Sequence, residues 1–230
     1  MLTRRSFTTS AALAALPLPA IAQSASKVLR VVPQAEPQSF DPVFAQVNNV
    51  SMHGAMVYDQ LFGWDDKMNV QPQMVDTWKL SDDRLRYTFT LRNGLKFHDG
   101  SDVTTRDVVA SLKRMFVRDT QNQILAGLID AYQPIDDRSF SILLKQPFAF
   151  TEFLLGGSNG VVGAIMREKD AMTDPFKPVQ ARIGSGPFRF VDAEYRPGAR
   201  IVYEKFAGYA PRSEPASGFA GGKVVKVDRV

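Results

Sequence analysis

Cysteine is absent from the 230 residues of this chain. That absence excludes disulfide bonds, thiolate nucleophiles and cysteine-ligated metal sites. It also leaves no thiol for attaching a lipid behind a signal sequence. Histidine is scarce too, since only His53 and His98 are present. Few side chains are therefore available as a general base or metal ligand.

A strong charge of either sign is missing as well. The formal charge of +4 at pH 7 falls by two, to +2, once Arg4 and Arg5 of the N-terminal segment are left out. So small and evenly spread a charge does not provide the basic surface that nucleic-acid binding requires. We therefore expect no nucleic-acid partner.

No apolar run is long enough to span a bilayer. Residues 1–22 instead indicate an export signal, with a short alanine-rich core at 11–18 and an A-x-A cleavage site at 20–22. Residues 3–7, TRRSF, form a twin-arginine pattern. A Sec signal with two ordinary arginines is the alternative. We expect a periplasmic protein, exported by the twin-arginine route, without a membrane anchor.

The most informative stretch is residues 84–115. Tyr87, Phe89 and Leu91 alternate with polar residues, as in a half-buried strand. Asn93-Gly94 is a turn signal. Thr104 and Asp107 then have the spacing of a capping box, and an apolar helical face follows; it is formed by Val108, Leu112, Met115 and Phe116.

The remaining pattern alternates between strands and helices. Strands are predicted at 27–32, 95–97, 139–144, 188–191, 200–205 and 223–230. Helices are predicted after a cap at Asn48, Asn49 or Ser51, with Met52 and Met56 on the apolar face, and at 147–155, where Pro147 stands at the first helical position. Residues 124–129 are apolar but fit either type of element. The fold class is α/β.

Several motifs together resemble the signature of family 5 extracellular solute-binding proteins, which deliver peptides, dipeptides or nickel to ABC importers. They are YTFTLRNGLKFHDG at 87–100 with Asp107-Val108-Val109, SFDP at 39–42, MVYDQL at 56–61 and IGSGPF at 183–188. The family usually has Thr where Ser185 stands. The resemblance implies a periplasmic binding protein-like, two-lobed fold (type II, class C-like).

The same resemblance implies a division of the chain. Residues 23–47 would form a first-lobe strand and cleft loop, 48–182 an inserted small α/β subdomain, and 183–230 the return to the first lobe. Family chains continue into a second lobe, so we expect a fragment that holds the first lobe and its β-rich subdomain. Ligand contacts are expected from loops that face the cleft; the candidates are Gln34, Gln46, Asn48, Asn49, Ser158 and Asn159.

The function implied is capture of an oligopeptide or dipeptide for an ABC importer permease, with no cofactor, no resident metal and no catalysis. A nickel-, haem- or glutathione-type binder of the same family is the alternative. Backbone groups in the cleft loops would bind a peptide main chain without selecting its side chains.

Three patterns suggest other chemistry and fit it poorly. Residues 156–160, GGSNG, match the nucleophile-elbow pattern of a serine hydrolase using Ser158, but both histidines precede that serine, which is the wrong chain order. His98 is expected to make a structural hydrogen bond, and His53 has no ligand partner at helical spacing. Residues 184–187 lack the Lys-Ser/Thr and the helix of a phosphate-binding loop.

Overall fold

The structure is a computed structural model that describes residues 26–157 and 163–230. These parts contain the following α-helices and strands: α1 Asn48–Val57, β1 Phe62–Trp64, β2 Val70–Pro72, β3 Val75–Leu80, β4 Arg86–Leu91, α2 Thr105–Arg118, α3 Thr120–Leu128, β5 Ile129–Pro134, β6 Ser139–Leu144, α4 Thr151–Leu155, α5 Glu168–Ala171, β7 Phe188–Phe190 and β8 Tyr203–Lys205. The fold is mixed α/β, as predicted.

The largest sheet is antiparallel, with the strand order β3-β4-β6-β5. Tyr87, Phe89 and Leu91 of the central strand β4 are buried, whereas Thr88 and Thr90 alternate with them on the more open face. The predicted alternation is confirmed. Because successive strand side chains point to opposite faces, one sequence pattern supplies both a core face and a polar outer face.

Helix α2 contributes its predicted apolar face to the same core. Val108, Leu112, Met115 and Phe116 are all nearly inaccessible to solvent. Each such side chain contributes about 1.5–3 kcal/mol on burial. At the helix start, the Asp107 carboxylate accepts a hydrogen bond from the Thr104 backbone N–H at 2.8 Å. This contact is the acidic half of a capping box and fixes where α2 begins.

The stretch at 124–129, which the pattern left open, becomes the end of α3 and the first residue of β5. The Asp119 carboxylate caps this helix by accepting from the backbone N–H groups of Gln121 and Asn122. Two further hairpins pair β1 with β2 and β7 with β8. The helix predicted at 147–155 forms only from Thr151 to Leu155.

Three predicted strands are wrong. At 27–32 the structure has one isolated parallel bridge, between Val28 and Arg229. At 223–230 pairing is limited to residues 228–230, which bond to Tyr203 and Lys205 of β8 around an isolated antiparallel bridge between Arg229 and Glu204. At 95–97 the structure has one bridge, from Lys96 to Asp102. A β-prone run becomes a strand only when a neighbour supplies hydrogen bonds along its length. The backbone bonds of the first segment involve only Lys27 and Leu29 within the described chain.

The apolar face predicted for α1 is wrong at Met52, whereas Met56 packs against the core as predicted. The buried residues of this helix are Val50, His53, Gly54 and Val57, whereas Met52 is exposed. His53 packs inward against Phe40, Phe190 and Tyr203, and Gly184 and Gly186 lie directly against the backbone at the Val57 end of the helix. Within residues 26–157 and 163–230, no helix has both the length and the apolar character needed to cross a bilayer.

Candidate functional site

Four of the six predicted ligand-binding residues lie in the described chain, on two neighbouring segments. Gln34 is exposed in a bend, and Gln46 and Asn48 are exposed at the start of α1. Asn49 is half-buried. Ser158 and Asn159 lie outside the described residues. The structure therefore brings Gln34, Gln46, Asn48 and Asn49 to one region, which we call the 34–49 edge.

The two segments are joined by the Asn49 side chain. Its amide nitrogen Nδ2 donates to the backbone carbonyl oxygens of Ala35, at 3.2 Å, and Glu36, at 3.1 Å. Its oxygen Oδ1 accepts from the Val50 backbone N–H at 3.0 Å. The Asn49 side chain is thus occupied by protein groups, whereas the other three predicted residues remain open to solvent.

Residues 34–36 are also held by the turn at 196–200, which follows β7. The Glu36 carboxylate oxygen Oε1 accepts from the Gly198 backbone N–H at 2.7 Å. Gly198 has a φ of +72°, a conformation that residues with a side chain rarely adopt. Residues 34–36 are therefore fixed between α1 and this turn.

Apolar side chains next to the 34–49 edge face solvent. Val32 is 95% exposed and Val47 is 54% exposed. Isolated exposed valines are ordinary on protein surfaces, but here they flank exposed amides on one edge. The 34–49 edge therefore presents both polar and apolar groups to solvent.

Beneath the 34–49 edge lies a buried ion pair from the SFDP motif. Asp41 and Arg114 are both essentially inaccessible to solvent, and Arg114 Nη2 lies 2.7 Å from Asp41 Oδ2. The second oxygen, Oδ1, accepts from the backbone N–H groups of Val43 and Phe44. Asp41 therefore anchors the loop that carries Gln46 to helix α2.

Arg114 also binds the backbone of residues 173–177. Its guanidinium donates to the carbonyl oxygens of Thr173, Asp174 and Lys177. The planar guanidinium presents five N–H donors and no acceptor, so one side chain can hold a carboxylate and three carbonyls together. This residue ties the segment at 173–177 to the 34–49 edge.

His98 lies on the segment between β4 and α2 and binds the turn at 184–187. Its Nδ1 accepts from the Gly184 backbone N–H at 3.2 Å, and its Nε2 lies 3.0 Å from the Gly186 carbonyl oxygen. A carbonyl only accepts and an N–H only donates, so the ring is neutral with its proton on Nε2. The prediction of a structural hydrogen bond for His98 is confirmed.

Burial keeps both histidines neutral. Burial, together with the charge of nearby Arg189, lowers the pKa of His98 to about 4 against the opposing effects of the Gly186 hydrogen bond and Asp99. Burial and the charge of Arg182 lower the pKa of His53 to about 3. His53 Nδ1 is hydrogen-bonded to the Tyr203 hydroxyl at 2.9 Å. Among the described residues, no three His, Cys, Asp or Glu side chains are grouped to hold a metal ion.

A surface depression of about 200 Å³ lies elsewhere, beside the β1–β2 hairpin. None of the four predicted ligand-binding residues that the structure describes lines it. Its main cation, Arg212, makes two hydrogen bonds to the Glu214 carboxylate and another to the Val75 carbonyl. Its polar groups thus satisfy one another, and we do not assign it to the site.

Residues 69–230 match the sequence model described as bacterial extracellular solute-binding proteins, family 5 middle. This match covers well over half of the chain. The chain belongs to that family. Membership in a family of solute binders leaves the serine hydrolase alternative without support.

Individual relatives agree with the family assignment. The probable peptide ABC transporter periplasmic-binding protein y4tO of Sinorhizobium fredii is 44% identical over 83% of this chain and 35% of its own length. The glutathione-binding protein GsiB of Pectobacterium atrosepticum is 33% identical over 74% of this chain and 33% of its own. The chain thus spans about a third of the curated relatives it matches.

A solved structure shows the same fold. The binding protein AgaA from A. tumefaciens R10, in complex with agropinic acid, aligns with a TM-score of 0.65 and 23% identity. The alignment covers 84% of this chain and 37% of that one. This family 5 chain therefore has the fold of the corresponding third of a periplasmic binding protein.

The family 5 motif MVYDQL places a second buried carboxylate. Asp59 is fully buried and lies 2.8 Å from Lys223 Nζ. It also accepts from the Tyr209 hydroxyl at 3.0 Å and from the Gln60 backbone N–H. Burial and the charge of Asp59 raise the pKa of Tyr209. The motif therefore attaches residues 209–223 to the centre of the chain.

Sequence reasoning missed the partners of both buried carboxylates and the bridging role of Asn49. One signal for Arg114 was available. Asp107, Ser111 and Arg114 are spaced as one helical stripe, and all three are buried. Ser111 and Asp107 accept from the backbone N–H groups of Met166 and Glu168. A polar stripe at i, i+4 and i+7 beside an apolar face indicates a helix that holds a second backbone segment.

The IGSGPF motif supplies a prediction about stability. A Cβ on Gly184 would lie 2.0 Å from the Val57 carbonyl oxygen, whereas one on Gly127 in α3 would meet nothing within 4 Å. We expect Gly184→Ala to destabilise the chain by about 1–3 kcal/mol through overpacking. Gly127→Ala should instead stabilise it by up to about 1 kcal/mol through helix propensity.

Urea unfolding followed by tryptophan fluorescence checks both variants. Equal midpoints for Gly184→Ala and the parent would show that α1 and the turn at 184–187 are not in firm contact.

Proposed function

We propose that this protein is the periplasmic substrate-binding component of an ABC importer and that it captures peptides. The observation that carries the proposal is the 44% identity, over 83% of the chain, to a probable peptide ABC transporter periplasmic-binding protein. At this identity and coverage the fold and the edge that carries the ligand contacts are expected to be shared.

In this proposal the 34–49 edge is one wall of the ligand cleft. Gln34, Gln46 and Asn48 contact the ligand, and Ser158 and Asn159 approach it from a second loop. Their amide and hydroxyl groups are suited to the N–H and C=O groups of an extended peptide, and the exposed valines to its side chains. A second lobe closes over the bound peptide about a hinge, and the permease recognises that closed state.

The proposed division of the chain follows the same logic. Residues 1–22 are the twin-arginine signal, 23–47 the first-lobe segment and cleft loop, 48–182 the inserted subdomain and 183–230 the return to the first lobe. The contacts of the turn at 184–187 with α1 and His98 support a fixed junction at the last boundary.

A glutathione-type binder is the second candidate. Glutathione is itself a small peptide, and GsiB, named for binding it, is 33% identical over 74% of this chain. Both candidates need an edge that holds a short backbone, so the geometry of the described residues supports them alike. Ligand length and the thiol-bearing side chain distinguish the two.

Calorimetric titration of the full-length natural protein tests the proposal. The ligands are di- to pentapeptides, reduced glutathione and nickel chloride. We expect at least one peptide to bind, and Gln46→Ala to weaken that binding roughly tenfold, the value of a lost hydrogen bond to the ligand. Gln146→Ala, an exposed glutamine elsewhere in the chain, is the matched control.

Each outcome decides between the candidates. Binding of glutathione with no response to other peptides would select the second candidate. A response to nickel alone, or to none of the ligands, would refute peptide capture.

A further inference from the structure

We propose that Asn49 is a positioning residue, which holds residues 34–36 in the conformation that binds ligand, rather than a residue that contacts the ligand itself. The inference rests on the proposed function, because it assigns a role within the same edge. It changes the role that the sequence pattern predicts for this side chain.

The hydrogen-bond partners of Asn49 specify an amide. Two backbone carbonyls, from Ala35 and Glu36, lie 3.2 and 3.1 Å from Nδ2, and a backbone N–H, from Val50, lies 3.0 Å from Oδ1. Only the NH₂ group of an amide supplies two donors while the same side chain accepts. A carboxylate at this position would place an anionic oxygen against two carbonyl oxygens, which is repulsive.

The protein itself supplies an acceptor for each donor of Asn49, because two carbonyl oxygens lie within 3.2 Å of the Nδ2 atom that carries its two N–H bonds. Gln34 and Asn48, on either side of the bridge, are exposed. The bridge therefore sets the spacing between the side chains that do face a ligand.

A second contact holds the same loop independently. Glu36 accepts from Gly198, on the turn after β7, at 2.7 Å. Asn49, on α1, binds the loop backbone, whereas Gly198 binds the Glu36 side chain. A loop held before the ligand arrives loses less conformational entropy on binding, so weakening either contact should lower affinity.

The test uses Asn49→Asp and Glu36→Ala in the full-length natural protein. Asn49→Asp preserves the shape of the side chain and its acceptor but removes both donors. Asn93→Asp, at an exposed turn, is the matched control for the same chemical change. If Asn49→Asp does not fold, Glu36→Ala removes the other contact of the same loop and shows by the same measurements whether loop order sets affinity, without which the proposed role of Asn49 fails.

Loop order is measured without ligand. These 230 residues contain no cysteine, so Ala35→Cys accepts a single nitroxide label once any cysteine in the rest of the full-length protein has been replaced by serine. The spectral line width of the label reports nanosecond mobility of the loop. We expect sharper lines in the presence of Asn49→Asp or Glu36→Ala and no change with Asn93→Asp. In unlabelled variants, we expect peptide affinity to fall roughly tenfold for Asn49→Asp, the cost of about one net hydrogen bond.

The alternatives give different results. Loss of affinity with an unchanged spectrum would make Asn49 a direct ligand contact and overturn the proposal. A mobile loop with unchanged affinity would overturn it as well. If the parent binds none of the ligands, the proposed function fails, and the spectra alone still decide whether Asn49 holds the loop.

Discussion

Replacing Arg114 with methionine is expected to destabilise this chain by about 3–5 kcal/mol, the usual cost of removing one partner from a buried ion pair. The change leaves the Asp41 carboxylate without its cation in a site that solvent does not reach. It also removes the donors to the carbonyls of Asp174 and Lys177. Two separate backbone segments would lose their attachment to α2 at once.

The measurement is the free energy of unfolding in urea, with Arg106→Met as the control. Arg106 lies on the same helix but is exposed, so its loss should change stability by less than about 0.5 kcal/mol. The double variant Asp41→Asn with Arg114→Met should be less destabilised than the sum of the single changes, because each removes a charge that the other leaves unpaired. Equal costs for Arg106→Met and Arg114→Met would show that the pair contributes nothing.

The Asp41–Arg114 pair gives the SFDP motif a structural purpose. The motif lies just before the residues predicted to contact ligand, which invites a functional interpretation for its acid. Its carboxylate is nevertheless fully used by Arg114, by the N–H groups of Val43 and Phe44, and by the N–H of Val179. Asp41 is therefore a support beneath the 34–49 edge rather than a part of its surface.

Elements whose cause is local could be predicted from the sequence. Strand β4 follows from its alternation and α2 from its cap and apolar spacing, because both patterns are complete within about fifteen residues. The family resemblance rests on the same stretch, so fold class and family were accessible together.

Features that depend on distant residues could not be predicted. Asp41 and Arg114 are 73 positions apart, and Lys223 is 164 positions from Asp59. The run at 27–32 has the composition of a strand but pairs only at Val28. The amino-acid composition of a segment favours extended backbone, but whether the segment pairs depends on the strands that lie beside it.

The candidate site shows the same division. Exposed amides near the start of α1 could be chosen as ligand contacts by resemblance to the family. The backbone hydrogen bonds of Asn49 could not be predicted, because its partners at 35 and 36 are brought close only by the turn of the chain through Asp41. Which amide faces solvent and which faces backbone is decided by tertiary structure.

Acid is expected to destabilise the chain through His53 and His98 well before the carboxylates titrate. Their folded-state pKa values, about 3 and about 4, lie below the ordinary value of 6.5. Between pH 6.5 and 5 the unfolded chain therefore binds protons that the folded chain excludes. The two histidines therefore give their full stabilisation above pH 6.5. Below it the free energy of unfolding falls by up to about 1.4 kcal/mol per pH unit for each histidine.

A variant of His98 shows how much of this loss of stability comes from each histidine. Protonation of its Nδ1 would set an N–H donor against the Gly184 N–H, with Arg189 adding repulsion and Asp99 offsetting part of it. His98→Gln can still accept and donate through its amide but does not titrate. We expect the slope of unfolding free energy against pH, from 6.5 to 5, to fall by about half in this variant, since each histidine contributes the same limiting slope.

The choice of pH window separates histidines from carboxylates. Asp99, whose pKa is lowered to about 2 by its contacts with Ser101 and Arg167 against the opposing effect of burial, changes stability in the same direction but only below about pH 4. An unchanged slope in His98→Gln would mean that the turn at 184–187 opens in the folded chain and lets the imidazole reach water. A slope reduced by half would show that the junction between the main sheet and β7 stays closed until acid breaks it.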